Sequence, residues 1–294
     1  MRESEMFTNY EAINIIEEYN KQVSQKAKKL RLIMALSAVS LTLILFWIIL
    51  TVSIQNEVKI FFAALGGLII IGLLLVLFFS SVIMGSSVTF NYLFPKVYEK
   101  INADLNLELE YKTKNKVDNR FLEAGKIFTK HARVYSYRDV SGRTENNNRF
   151  QILDCSLITG GGQYQQVHLN GMYLFFKVPS AVSIQIRTHG KPQGKNLGLE
   201  KFEQIEEVKV YLPSGKTMDT AEKLLLQKFK ELKMRLSLKY LYLSLGDNIL
   251  HLAYVPKPRL RAQNKVTPEK LNQIYQEFKS ELDLIDEFVN IFDF

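Results

Sequence analysis

The side chains here with the chemistry for catalysis or metal binding are few and scattered. There are four histidines, His131, His168, His189 and His251, and a single cysteine, Cys155. Three of the histidines with Cys155 or Asp154 would supply enough donors for a zinc site. No two of them stand at the close spacing of an HxxxH or CxxC unit, so such a site needs long-range assembly. Scattered core and surface histidines are the simpler expectation. Cys155 lies in an apolar run between Asp154 and Ser156, with no local base or cation to ionise it. It reads as a buried structural thiol and not a nucleophile. A lone cysteine also excludes an intrachain disulfide framework.

Gly160-Gly161-Gly162 is the kind of run that cradles phosphate. A phosphate loop also needs a lysine and a following helix, and the next element here reads as a strand, so a flexible connection is expected. No GxSxG, HExxH or dinucleotide-binding fingerprint occurs. Asp139 and Asp154 have no partner visible in sequence. An enzyme is therefore the minority reading, and no cofactor or metal is implied.

The chain carries 38 Lys+Arg against 30 Asp+Glu, a net charge of +8. Lys223, Lys228, Lys230, Lys233 and Arg235 load one helical stretch, and Lys257, Arg259 and Arg261 load a proline-containing loop. Beside an anionic leaflet each such cation contributes about 1 kcal/mol, so these residues form a candidate surface for anionic lipid headgroups or for an unidentified protein partner. Nucleic acid is disfavoured, because no stacking motif or recognised binding fold accompanies the charges. The plainer alternative is a solvated face, balanced by Glu277, Glu281, Asp283, Asp286 and Glu287.

The elements that must carry these residues begin with two apolar blocks. Residues 32–54 (LIMALSAVSLTLILFWIILTVSI) and 60–84 (IFFAALGGLIIIGLLLVLFFSSVIM) contain no charged residue. At about 1.5 Å per residue each exceeds the roughly 30 Å hydrocarbon core, and neither shows a polar stripe. Both read as transmembrane helices joined by the short QNEVK link, a hairpin with both chain ends on one side. Lys21, Lys26, Lys28, Lys29 and Arg31 crowd the first block while the link carries only Lys59, so the ends are expected in the cytoplasm. The first block starts too far into the chain for a secretory signal peptide, so cleavage is not expected. Ala63, Gly67 and Gly72 mark a candidate helix-packing face, within the hairpin or between copies, although glycine is common in membrane helices. No ionisable group lies inside either block, which argues for an anchor over a transporter.

Beyond the anchor, residues 92–105 read as a short amphipathic helix. VYSYR, RFQILDCSLI, QYQQVHL, MYLFFKV and AVSIQIRT follow as strands. Asn170-Gly171 is expected to be a two-residue hairpin turn. EEVKVYL is a strand, followed by a helix over about 217–236 capped by Asp219 or Thr220. KYLYLSL and NILHLAYV flank a turn at Gly246-Asp247, and a last helix starts near Thr267 with Pro268 in its first turn. HGKPQGKNLG reads as a loop inside one compact unit. The expected fold is a membrane-anchored α+β chain: a two-helix transmembrane hairpin, then a mostly antiparallel sheet with packed helices. Its parts are a cytoplasmic N-terminal helix (1–31), spans at 32–54 and 60–84, and a cytoplasmic domain (85–294).

In order of features the chain resembles the bacterial membrane proteins grouped as domain of unknown function 3137. The resemblance runs through FPKVYEKI, RVYSYRDVSGRT, NGMYLFFKV, VKVYLPSGKTMDTAEKLLLQKFKELK and KYLYLSLGDNILHLAY. It implies an inner-membrane location and this order of elements, and it carries over no catalytic residue. The function expected is a cytoplasmic interaction or scaffold domain tethered to the membrane. The alternative is a tethered enzyme or small-ligand sensor with a site assembled from distant residues.

Overall fold

The computed structural model describes residues 7–51, 56–113, 122, 124–128, 133–159, 165–180, 183–190, 198–205, 207–256 and 266–292. Two compact units divide the chain. One comprises Phe7–Lys96 and Leu260–Leu271, the other Met1–Met6, Val97–Arg259 and Asn272–Phe294.

In the first unit, α1 (Asn9–Thr51) is a single 43-residue helix, about 65 Å long. From Asn9 to Thr51 the N-terminal helix expected at 1–31 and the first apolar block are thus one rod. Its two halves differ in what covers them. Ala12, Tyr19, Val23 and Ala27 are buried at helical spacing, whereas Leu32, Leu36, Val39, Leu43 and Trp47 are exposed. The second helix, α2 (Asn56–Val88), packs on α1. Arg31 Nε donates to Ser80 Oγ at 2.7 Å, and Tyr19 OH lies 3.1 Å from Thr89 Oγ1. Moving back along α1 thus moves forward along α2, so the two run antiparallel. A π-helical turn, Thr89–Leu93, follows.

One of the two expected spans is found. Among the described residues α1 is the one helix long and apolar enough to cross a membrane, and in α2 the described apolar stretch, Ala64–Leu75, is shorter. A Cβ placed on Gly67 or Gly72 would meet nothing within 4 Å among the described residues. The side chain of Ala63 lies outside the described residues.

The second unit is α+β. Among the described residues nine strands form one antiparallel sheet in the order β1-β2-β3-β4-β9-β8-β5-β7-β6. They are β1 (Glu110–Thr113), β2 (Arg133–Arg143), β3 (Arg149–Thr159), β4 (Gln166–Lys177), β5 (Ile184–Arg187), β6 (Leu199–Ile205), β7 (Val208–Pro213), β8 (Leu241–Gly246) and β9 (Ile249–Tyr254). The helices are α3 (Phe94–Leu105), α4 (Thr220–Arg235) and α5 (Pro268–Val289), of which α3 belongs to this unit from Val97 and α5 from Asn272. In α4, Asp219 accepts from the Glu222 amide while Glu222 accepts from the Asp219 amide, a reciprocal capping box. That pair starts the helix at Thr220, three residues later than Thr217. Leu225, Leu226, Phe229 and Leu232 are its buried stripe, each contributing about 1.5–3 kcal/mol.

Two expected turns move. Asn170-Gly171 is no turn, because β4 runs straight through it. Gly171 is there for space: a Cβ would strike the Tyr254 carbonyl and come within 3.1 Å of Val255 Cα, where β9 leaves the sheet. The β8–β9 turn is centred on Asp247-Asn248, both at positive φ (53° and 59°), as a type I′ turn requires. β1 and β6 form without strong alternation in sequence. β6 is largely exposed at the sheet edge, with charged Glu200, Lys201 and Glu203 and a register shift that discourage further pairing.

Candidate functional site

The sheet has two faces, and its register fixes which side chains share each. On one face Ile152, Met172, Leu174, Phe176, Leu252, Leu243 and Ile186 are buried. Helix α5 packs there through Phe288 against Phe176. A one-residue bulge at Tyr137 shifts the β2 register between Ser136 and Arg138. Because side chains alternate, that extra residue turns Arg138 onto the helix face, opposite Asp154. Arg138 is buried there. It donates to both Glu281 oxygens (2.9 and 3.2 Å) and to Tyr98 OH (3.0 Å), and lies 4.5 Å over the Phe278 ring. Burial by itself would lower its pKa, but Glu281, Tyr98 and Asp154 outweigh it, and the guanidinium is held above its ordinary value. This cluster ties β2, α3 and α5 together.

The opposite face is more polar. Register places His251, Ser244, Gln185 and Tyr211 in one row across β9, β8, β5 and β7. Ala253, Tyr242, Arg187 and Lys209 form the next. Residues 122 and 124–128 lie across this face. Tyr173 OH donates to the Leu122 carbonyl (3.4 Å), Gln185 Nε2 to that of Lys126 (3.1 Å), and Arg187 Nη2 to that of Ile127 (3.0 Å). Leu122, Ile127 and Phe128 then pack with Leu153, Cys155, Leu157 and Leu169. Gly125 sits so close that a Cβ would meet the Tyr173 hydroxyl and come within 2.7 Å of the His251 ring. Under it, Tyr173 OH and His251 Nδ1 are 3.1 Å apart. Burial pulls the His251 pKa down to about 4 and pushes the Tyr173 phenol well up.

Where this cover ends, a cleft of about 520 Å³ opens. Arg187, His168, His189, Asn170, Tyr240 and Tyr242 line it, with Phe128 at one wall. Each is positioned by a neighbour. The Arg187 guanidinium lies 5.1 Å over the Tyr242 ring, and Phe128 packs edge-on against the same ring. His168 Nε2 is 2.7 Å from Thr159 Oγ1, and Ser156 Oγ donates to Asn170 Oδ1 at 3.0 Å. His189 meets Tyr240 edge-on. Tyr211 OH donates to the Gly190 carbonyl, and Gly190 holds a positive φ of 74°. Burial lowers the Arg187 pKa, with Tyr242 and Tyr211 acting against it. A larger hollow of about 770 Å³ lies beside the β2–β3 turn, lined largely by that turn and the α3–β1 link.

The cleft brings His168 and His189 together. His251 lies apart beneath Gly125, and His131 and Gly160-Gly161-Gly162 are outside the described residues. Cys155 is buried in the apolar cluster. Among the described residues no three His, Cys, Asp or Glu side chains converge as a metal-ligand set. Arg187, Tyr240 and Tyr242 were not singled out by sequence, and Asn170 was read only as part of a turn. The available signal was the alternation of polar Gln185 and Arg187 with apolar Ile184 and Ile186, which reads as a solvent-facing side.

The cations of α4 are largely answered. Lys228 pairs with Glu231 (3.1 Å), Lys233 with Glu207 (2.9 Å) and Arg235 with Glu287 (2.9 Å). Lys223 is exposed and Lys230 half-buried. Lys257, Arg259 and Arg261 lie outside the described residues.

No family model matches the chain, and no curated protein matches it. A solved structure, the crystal structure of the mycobacterial trehalose monomycolate transport factor A, TtfA, is similar over 68% of this chain and 96% of that one. The TM-score is 0.38 and the identity 8%. A likeness of that size defines neither a common fold nor a common function.

Proposed function

We propose that this protein is a membrane-anchored, non-enzymatic interaction domain, held at the cytoplasmic membrane by α1 and α2 with both chain ends in the cytoplasm. The observation that carries this is the second half of α1. Leu36, Leu43 and Trp47 are 60%, 62% and 65% exposed, and Leu32, Val39, Ile44 and Phe46 are exposed around them. An apolar surface on all sides of a helix suits lipid and not water.

The contacts of Arg31 set the depth. A guanidinium belongs at the interface, and its bonds to Ser80 and Ser81 bring α2 to the same level. A second span would then run from about Asn56 to Ser80, with Tyr19 and its partners Gly85 and Thr89 beyond the bilayer. Lysine-rich flanks before Arg31 favour the cytoplasmic side. The resemblance to the domain of unknown function 3137 family fits this arrangement. Tethering raises the local concentration of a protein partner for the domain. With Lys228, Lys233 and Arg235 paired, Lys223 and Lys230 and the 257–261 cations are its candidate basic contacts.

Alkaline carbonate extraction of membranes from a bacterial host tests the anchor. The full chain is expected in the pellet. Leu36→Arg with Leu43→Arg should release it, since each arginine costs about 2.5–3.5 kcal/mol in the span. Release of the unaltered chain would overturn the reading.

A further inference from the structure

We propose that the cleft between Arg187, His168, His189, Tyr240 and Tyr242 binds a small phosphate-bearing ligand. Its anion faces Arg187 and the imidazoles, and its body lies against the aromatic wall. This reading concerns the sheet unit alone and does not depend on the anchor.

Four observations carry it. The volume, about 520 Å³, falls within the roughly 300–1,000 Å³ range of small-molecule sites. The polar lining is one-sided in charge: a guanidinium, two imidazoles, the Gln166 and Asn170 amides and two phenols, with no Asp or Glu among the described lining residues. The guanidinium, with no carboxylate beside it in that lining, attracts an anion. A phosphate presents three terminal oxygens to donors spread around a concave wall, whereas a carboxylate presents two. Finally, the donors are fixed before any ligand arrives. Arg187 is 3% exposed and clamped between the Ile127 carbonyl and the Tyr242 ring, and His189 is braced by Tyr240. Binding then costs little side-chain ordering. The rings of Phe128, Tyr240 and Tyr242 supply the apolar surface for a flat or hydrophobic body.

A phosphomonoester reaches such a site either as a soluble metabolite or as a lipid headgroup, and the test separates them. The full chain is placed in nanodiscs in phosphate-free buffer and titrated with inorganic phosphate and with AMP. A parallel sample carries phosphatidic acid in place of part of the phosphatidylcholine, and thermal stability is read. Saturable binding is expected, tighter for AMP than for inorganic phosphate if the source is soluble. Stabilisation by phosphatidic acid alone identifies the lipid source. In either case His189→Ala and Arg187→Lys should weaken the response about tenfold. His189 is exposed, so its variant keeps the unliganded melting temperature and separates lost binding from lost folding. No response to any of the three probes, or a response unchanged in both variants, overturns the proposal.

Discussion

His251 makes the stability of the sheet unit depend on acid in a calculable way. Burial holds its pKa near 4 against an ordinary 6.5, so between those values the unfolded chain takes a proton that the folded one refuses. Its contribution is fully present above pH 6.5 and is lost as pH falls towards 4. Between pH 7 and pH 5 the loss from this one group is about 2 kcal/mol. Other groups respond to acid as well, Asp283 among them with its pKa raised by burial, so the quantity to measure is a difference. Urea unfolding of the full chain in detergent, followed by circular dichroism at both pH values, gives it when repeated on His251→Gln. Glutamine still offers a partner to Tyr173 but takes no proton. The unaltered chain should lose about 2 kcal/mol more than the variant on acidification. Equal losses would refute the claim that His251 is buried and neutral beneath Gly125.

Removing Glu281 strands the Arg138 guanidinium in the core. Glu281→Ala should cost about 3–5 kcal/mol by chemical denaturation, whereas a change below about 0.5 kcal/mol would show that the pair is solvated. Gly171→Ala places a Cβ against the Tyr254 carbonyl and should cost about 1–3 kcal/mol. Gly246→Ala meets nothing within 4 Å and should stay within about 0.5 kcal/mol of the original by the same measurement.

Much of the fold could be read from local pattern. Asp219 was legible as a cap of α4, the β8–β9 hairpin from alternation on both sides of a turn placed one residue early at Gly246-Asp247, and the apolar, exposed half of α1 from an uncharged run. What sequence concealed was long-range. Asn-Gly is a strong hairpin signal, yet Gly171 lies within a strand because the β9 backbone passes too near for any side chain. Tyr137 looks like an ordinary alternating residue, yet as a bulge it turns Arg138 towards Glu281, 143 positions away. Gln185 and Arg187 look solvent-facing, yet the carbonyls of Lys126 and Ile127 come to meet them. The cleft is made by those encounters, and no spacing in the chain encodes it.

The central claim, a cytoplasmic domain on a membrane anchor whose α1–α2 link faces out, is tested most directly by labelling. In a Cys155→Ala background, Asn56→Cys and Lys223→Cys are each treated with a membrane-impermeant maleimide on intact spheroplasts and again after lysis. Asn56→Cys should label in intact spheroplasts and Lys223→Cys only once they are broken. Labelling of Lys223→Cys in intact spheroplasts, or protection of Asn56→Cys until lysis, would contradict that arrangement.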